Sequence, residues 1–341
     1  MNDQPKDKQG PGALDALDLK LLQALQFDGR APFSRIAQVL GISDQTVARR
    51  LRRLRTTAGL RVLGMTDDIR LGRSNWIVRL SCTPDVADRL AGALARRPDT
   101  LYVALVSGGT EVICAMHPRS RQDRDDLLLG HLRRTPRVTS VSAHCILHYF
   151  YGGSLSWLTK IDALTADEAA ALRPAHREPA AGPVALDADD ERLLVLLRED
   201  GRAALTELQA ATGLTESVVK RRLERLQNTG VLYYDVQHDF EPLGQEVEAM
   251  LWLTVEPAAL AAAGHALAAH PEVRFAAATT GPANLVAATL HTGPGGLYGY
   301  LSERIGALEG VRSVETVLTL RQVKQLAYEQ SRSPGNRGHT S

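Results

Sequence analysis

The sequence predicts an α+β protein of two tandem units, each made of three short helices followed by a four-stranded antiparallel sheet carrying two helices. Three observations predict it. First, the chain repeats itself: Asp28-Gly29-Arg30 recurs 172 positions later as Asp200-Gly201-Arg202. At the same offset Leu14-Asp15, Asp18, Gly41 and Arg49-Arg50-Leu51 recur as Leu186-Asp187, Asp190, Gly213 and Arg221-Arg222-Leu223. So long a period fits two copies of a whole module and not a solenoid. Second, each copy opens with apolar residues at helical spacing, Leu14, Leu17, Leu21, Leu22 and Leu25 in the first. Third, the spacing then turns strand-like, in the order β-α-β-β-α-β.

The elements follow from local chemistry. Asp15 is an N-cap for a helix over Leu14 to Asp28, and Gly29 stops it. Ser34 to Leu40 is a second short helix, with Phe33, Ile36, Ala37 and Leu40 inward. Gly41-Ile42 makes a tight turn, and Ser43 caps a third helix that buries Val47, Leu51 and Leu54 and ends near Gly59. This is the helix-turn-helix pattern. Leu60 to Leu71 reads as a hairpin or extended connector. Strands are expected at Trp76 to Cys82, Leu101 to Val106, Val112 to Met116 and Val138 to Leu147, with helices at Asp85 to Arg96 and Asp123 to Arg134. That order is ferredoxin-like. The second copy repeats the course, with helices near Asp187 to Asp200, Thr206 to Ala211 and Thr215 to Thr229, then a second β-α-β-β-α-β run from Glu248 to Leu320. The resulting domains are helix-turn-helix 13–62, ferredoxin-like 73–150, linker 151–184, helix-turn-helix 185–234, ferredoxin-like 245–325 and a disordered tail 326–341. A short helix, Leu164 to Leu172, is expected early in the linker, and Tyr149, Phe150, Tyr151 and Trp157 to pack it onto the body.

The formal net charge is +1, so a nucleic-acid surface must be a local patch. No apolar run is long enough to span a bilayer, and Met1 to Gly12 lacks the apolar core of a signal peptide, so a cytoplasmic location without membrane contact is expected. Cys82, Cys114 and Cys145, odd in number and on expected strands, read as free thiols and not as a disulfide framework or zinc site. No metal and no cofactor is expected.

The patch is on the third helix. Ser43 to Arg55 carries five arginines against the single acid Asp44, a net of +4 in a protein of net +1. With Val47, Leu51 and Leu54 turned inward, the expected DNA-contacting residues are Ser43, Gln45, Thr46, Arg49, Arg50 and Arg53. Glutamine pairs with the adenine edge and arginine with the guanine edge in the major groove, and neutralised phosphates make binding salt-dependent. An arginine run alone is better explained by a solvated face; the preceding helix and the Gly41 turn reverse that and favour double-stranded DNA. The second copy offers Thr215, Ser217, Lys220, Arg221, Arg222 and Arg225, with a net of only +2 over Thr215 to Gln227. The first copy is therefore expected to supply more of the affinity.

Leu-Asp-x-x-Asp and Asp-Gly-Arg around a helix-turn-helix, Leu71-Gly72 and Leu243-Gly244 before the second domain, and the β-α-β-β-α-β unit resemble the Lrp/AsnC family of prokaryotic transcription regulators, over almost the whole chain and twice. The resemblance implies a regulator that is not an enzyme, forms homo-oligomers and binds a small effector, often an amino acid, near a glycine-containing strand-turn-strand. The matching positions are Ser107, Gly108, Gly109, Thr110 and Glu111, and Thr280, Gly281, Pro282, Ala283 and Asn284; Glu111 and Asn284 stand where the family usually has aspartate. Siroheme decarboxylases resemble the same fold and give the rival reading, an enzyme holding a tetrapyrrole, for which His144, His148 and Tyr149 are the candidate residues.

Overall fold

The computed structural model describes residues 14–174, 182–239 and 243–326. The first copy runs α1 (Ala16–Phe27), α2 (Phe33–Leu40), α3 (Asp44–Thr57), β1 (Arg61–Thr66), β2 (Trp76–Cys82), α4 (Pro84–Ala95), β3 (Thr100–Val106), β4 (Glu111–Met116), α5 (Arg121–Asp125, continued by a wider π turn and a tighter 3-10 turn to Arg134) and β5 (Val138–Tyr151). After α6 (Ala166–Leu172), the second copy runs α7 (Ala188–Glu199), α8 (Leu205–Thr212), α9 (Glu216–Asn228), β6 (Leu232–Gln237), β7 (Val247–Val255), α10 (Leu260–Ala269), β8 (Val273–Thr279), β9 (Leu285–His291), α11 (Pro294–Gly299, continued to Ile305) and β10 (Val311–Gln325). The α+β class, both three-helix modules and both β-α-β-β-α-β runs are as expected. The expected tail lies outside the described residues apart from Leu326, and so does 175–181 of the expected linker.

The capping chemistry is as the sequence implies. Asp15 and Asp187 accept the N–H groups of Asp18 and Asp190 at 2.9 Å, and those side chains return to cap the Asp15 and Asp187 N–H groups. Each closes a capping box at the start of a helix that buries three leucines, Leu21, Leu22 and Leu25 in α1 and Leu193, Leu194 and Leu197 in α7. Gly41 and Gly213 adopt φ of +65° and +73°, the left-handed geometry a glycine C-cap supplies at the turn of each module.

Two expectations are corrected. Leu60 to Leu71 forms no local hairpin: β1 pairs antiparallel with β6 of the other copy, from Arg61↔Gln237 to Thr66↔Leu232. A lone six-residue strand leaves half its backbone groups unpaired, and its repeat is the matching edge. The last strands are also longer than expected. β5 runs on to Tyr151, and its residues Ile146–Tyr151 pair with β8; β10 runs on to Gln325, and Thr319–Gln325 pair with β3. The two copies are thus not self-contained. Contacts divide the chain into one unit of residues up to Asn75 with His144–Leu318, and another of Trp76–Ala143 with Thr319 onward. In the first unit the strand order is β5-β8-β9-β7-β10; in the second it is β10-β3-β4-β2-β5.

The helix expected in the linker forms as α6, and 152–173 is docked. Leu158 and Leu172 are fully buried in the core of the first helix-turn-helix. Gln23 on α1 donates to the Ile161 carbonyl and accepts from Leu164 N–H at 2.8 Å, Lys20 pairs with Glu168 at 2.7 Å, and Arg35 donates to the Ala171 carbonyl at the end of α6 at 2.8 Å. At its start, Trp157 donates to the Pro271 carbonyl and Lys160 to the His270 and Val273 carbonyls. Burial lowers the Lys160 pKa to about 8, and its ammonium lies 3.7 Å from the Tyr151 ring centre.

Candidate nucleic-acid interface and effector turns

Both helix-turn-helix modules lie in the first unit, and each positions its third helix by the same buried carboxylate. Asp18 has no solvent exposure and meets Arg50 at 3.0 Å and Arg53. Asp190, 1% exposed, meets Arg222 at 2.9 Å and Arg225. Arg50 also pairs with Asp15 at 2.5 Å, and Arg222 with Asp187 at 2.7 Å and Asp189 at 3.3 Å. A buried carboxylate needs such compensation, and a two-arginine clamp supplies it. Burial would push the Asp15 carboxyl up, but Arg50 and nearby backbone N–H groups hold it below its ordinary value; Asp187 is held down to about 2 by the Asp190 N–H and Arg222.

The expected DNA-contacting set therefore divides. Arg50, Arg53, Arg222 and Arg225 are tied to carboxylates of the preceding helices, so much of the expected charge on the outer face is neutralised within the module. Lys220 pairs with Glu216 at 2.6 Å. Arg49 and Arg221 are exposed and have no ion pair among the described residues. Gln45, Ser217, Ser43 and Thr215 are exposed, with Ser43 capping α3 through the Thr46 N–H at 3.2 Å; Thr46 is half-buried. Arg52 and Arg55, absent from the expected set, are exposed on the same helix as Arg49. Spacing hid the clamp, because Asp15 and Arg50 are 35 positions apart.

A second pair of arginines crosses between the copies. Arg30 donates to the Gly201 and Ala203 carbonyls at 2.7 and 2.9 Å, and Arg202 donates to the Gly29 and Ala31 carbonyls at 2.6 and 2.9 Å. Each Asp-Gly-Arg turn thus grips the carbonyls of its repeat. The recurrence of the tripeptide was the only signal. Gly29 and Gly201 are needed for the approach: a Cβ would lie 2.5 Å from the Tyr234 Cβ and 2.9 Å from the Leu63 carbonyl carbon.

The two expected effector turns differ. In the first, Ser107, Gly108 and Gly109 have φ of 52°, 69° and 84°, and nothing lies within 4 Å of where a Cβ would stand on either glycine. Glu111 is buried and spent on the Arg79 guanidinium at 2.5 and 3.2 Å and the Ser107 hydroxyl at 2.9 Å, while Thr110 bonds the Ser107 carbonyl at 2.8 Å. In the second, Thr280 exchanges hydrogen bonds with Cys145 of β5, and His144 donates to the Thr280 carbonyl at 2.8 Å with its ring filling the space over Gly281. Asn284 bonds both backbone groups of Val255 at 2.9 and 2.8 Å, and Thr254 donates to the Pro282 carbonyl. Ala283 accepts from Thr279.

The candidates for a tetrapyrrole site do not converge. His144 is buried against Trp252 at 5.1 Å; Tyr149 accepts from Asn75 at 2.9 Å and meets Phe275 edge-on; His148 is exposed beside Phe150. Cys82 and Cys114 are buried thiols, with burial raising the Cys114 pKa to about 12; Cys145 is half-buried, and its thiol donates to the Ile146 carbonyl. Among the described residues no three His, Cys, Asp or Glu side chains gather as metal ligands, and no helix is long and apolar enough to cross a membrane.

The AsnC-type helix-turn-helix domain matches residues 14–55 and 186–227, and the Lrp/AsnC ligand binding domain matches residues 248–328. An uncharacterized HTH-type transcriptional regulator of Pyrococcus abyssi is 31% identical over 159 residues, 46% of this chain and 97% of that protein. The leucine-responsive regulatory protein of Rhizobium meliloti is 30% identical over 145 residues, 41% of this chain and 93% of that protein. Among solved structures, the siroheme decarboxylase NirDL in complex with an iron-uroporphyrin III analogue superposes with a TM-score of 0.61 at 16% identity, covering 92% of this chain and 94% of that one. This last match overturns the expectation that the chain is not an enzyme: the fold that accounts for nearly all of it is one an enzyme uses. In sequence, the chain belongs to the Lrp/AsnC family of transcriptional regulators, in a tandem form with two AsnC-type helix-turn-helix domains.

Proposed function

We propose that the chain binds double-stranded DNA through its two third helices and reports a small metabolite, an amino acid or a related compound, through its ferredoxin-like domains. The observation that carries the DNA reading is the joining of two helix-turn-helix modules in one unit by the β1–β6 ladder and the reciprocal arginine grips, with Arg49 and Arg221 left exposed. Modules joined this way enter major grooves roughly 34 Å apart or a multiple of it. Exposed Gln45, Arg49, Arg52 and Arg55 make the first copy the stronger contributor. The open Ser107–Thr110 turn is the better effector candidate of the two, since its backbone N–H groups are reachable by a carboxylate. An effector that alters the helix arrangement would change DNA affinity by about 1–3 kcal/mol of coupling. Exposed Leu147, Val314 and Leu318 support further self-association.

A shift assay on the DNA upstream of the chain's own reading frame tests this, read at several salt concentrations with and without an amino-acid panel, beside sedimentation. Binding that weakens steeply with salt supports the proposal. No salt-dependent binding removes it.

The whole-chain likeness to NirDL favours one second reading, tetrapyrrole chemistry. Incubation with siroheme followed by gel filtration and a visible spectrum tests it. A retained chromophore supports that reading; none retained removes it.

A further inference from the structure

We infer that the DNA site is made of two unlike inverted half-sites, so that the bound chain has one direction along the duplex. This rests on the DNA-binding reading above. The geometry begins at the β1–β6 ladder, where Leu63 faces Asp235, its own counterpart at the 172-residue offset. On either side Val62 faces Val236 and Gly64 faces Tyr234, and the counterparts of Val62 and Gly64 are Tyr234 and Val236. The register maps onto itself when the copies are exchanged. The Arg30 and Arg202 grips obey the same exchange. A pseudo-two-fold axis therefore passes through the Leu63–Asp235 pair. A true two-fold pair of readers matches a palindrome.

These readers are not alike. The shared parts are the exposed Arg49 and Arg221 and the acid-clamped arginines behind them. Around these, Gln45 is replaced by Ser217, Thr46 by Val218, Ala48 by Lys220, Arg52 by Glu224 and Arg55 by Gln227. Gln45 can hold adenine by two hydrogen bonds, which a serine hydroxyl cannot match. Val218 suits a thymine methyl. Glu224 repels a phosphate that Arg52 attracts. One half-site is thus specified by guanine and adenine, the other by guanine and an apolar edge.

The axis itself opposes the symmetric alternative, two chains each lending the same reader. Joining two second copies would set Asp235 against Asp235, and like charges opposite one another destabilise a strand pair. The unlike Leu63–Asp235 pairing keeps one reader of each kind in every unit.

Selection from a randomised duplex pool by the full-length chain, followed by sequencing, tests this. The expected consensus is non-palindromic. A palindrome built by duplicating either half binds about tenfold or more weakly. The double variant Q45S/T46V, folded as judged by its unchanged melt, shifts the consensus toward a palindrome of the second half-site. A palindromic consensus for the unaltered chain overturns the inference and leaves the DNA reading intact. No enrichment at any salt concentration removes both.

Discussion

Asp18 and Asp190 behave alike in the two helix-turn-helix modules; Gln23 and Val195, also counterparts, do not. Each aspartate is buried under two arginines from the third helix. Gln23 is 4% exposed and bonded to the segment that lies over the first module, whereas Val195 is 46% exposed. Around them Lys20, Phe27 and Arg35, which meet Glu168, Arg173 and Ala171, are answered by Arg192, Glu199 and Glu207. The repeats thus agree where a charge must be neutralised inside the module and differ where only one of them is covered. The positions that hold a module together are a different set from those that distinguish its surface.

The sharpest way to break this comparison is at the clamp. Arg50→Ala and Arg222→Ala should each cost about 3 kcal/mol, because either strands part of a buried carboxylate, whereas Arg49→Ala should change stability by no more than about 0.5 kcal/mol. Denaturant unfolding reads all three. If Arg49→Ala costs as much as Arg50→Ala, the division between scaffold and surface arginines fails.

The effector turns should separate next. Gly281→Ala sets a methyl 2.4 Å from the His144 ring at a φ of +112°, and should cost about 2–3 kcal/mol. Gly108→Ala meets open space and suffers only the left-handed backbone, about 1 kcal/mol. Equal losses in thermal melts would mean that the two turns are packed alike.

The pseudo-two-fold axis offers a pH test. Burial raises the Asp235 carboxyl to about 6 from the ordinary 3.8, against the Val236 N–H and side-chain hydrogen bonds that lower it. The folded state therefore holds this proton more tightly than the unfolded one. The cost of ionising it is absent below pH 3.8, grows between 3.8 and 6 and is complete above 6. Two units correspond to at most about 3 kcal/mol. Asp235→Asn should raise stability by about 2 kcal/mol at pH 8 and leave it nearly unchanged at pH 3.5; a gain that does not vary with pH would contradict the assignment.

The smallest effect expected is on DNA. Arg49→Glu should weaken binding about tenfold and Arg221→Glu about threefold at one salt concentration, because α3 keeps Arg52 and Arg55 beside Arg49. Equal losses in a shift assay would make the two readers equivalent.

The helices, their caps and the internal strands were legible because their signals are local. Asp15 and Ser43 stand where an N-cap must, and Gly41 where a left-handed turn must. That 152–173 packs onto the body was legible in its aromatic residues, but where it docks was not, because Leu158 and Leu172 carry no periodicity that names Gln23 as a partner. Arg50 and Arg53 of the third helix are paired with acids around the first helix. A charge run shows how much charge there is, and only the neighbouring helix shows which of it is already neutralised.

Residue order by itself determined the duplication, the three-helix modules, the sheet units and the gathering of arginine on the first third helix. Each depends on spacing within one element or on identity between repeats. Tertiary structure alone decided that β1 joins β6, that β5 and β10 run on to pair with β8 and β3, that Arg30 and Arg202 cross between copies, and that Asp18 and Asp190 draw four arginines inward. The reason is physical: unpaired strand edges and buried charges must find partners, and those partners are chosen by proximity in space, which sequence separation does not encode.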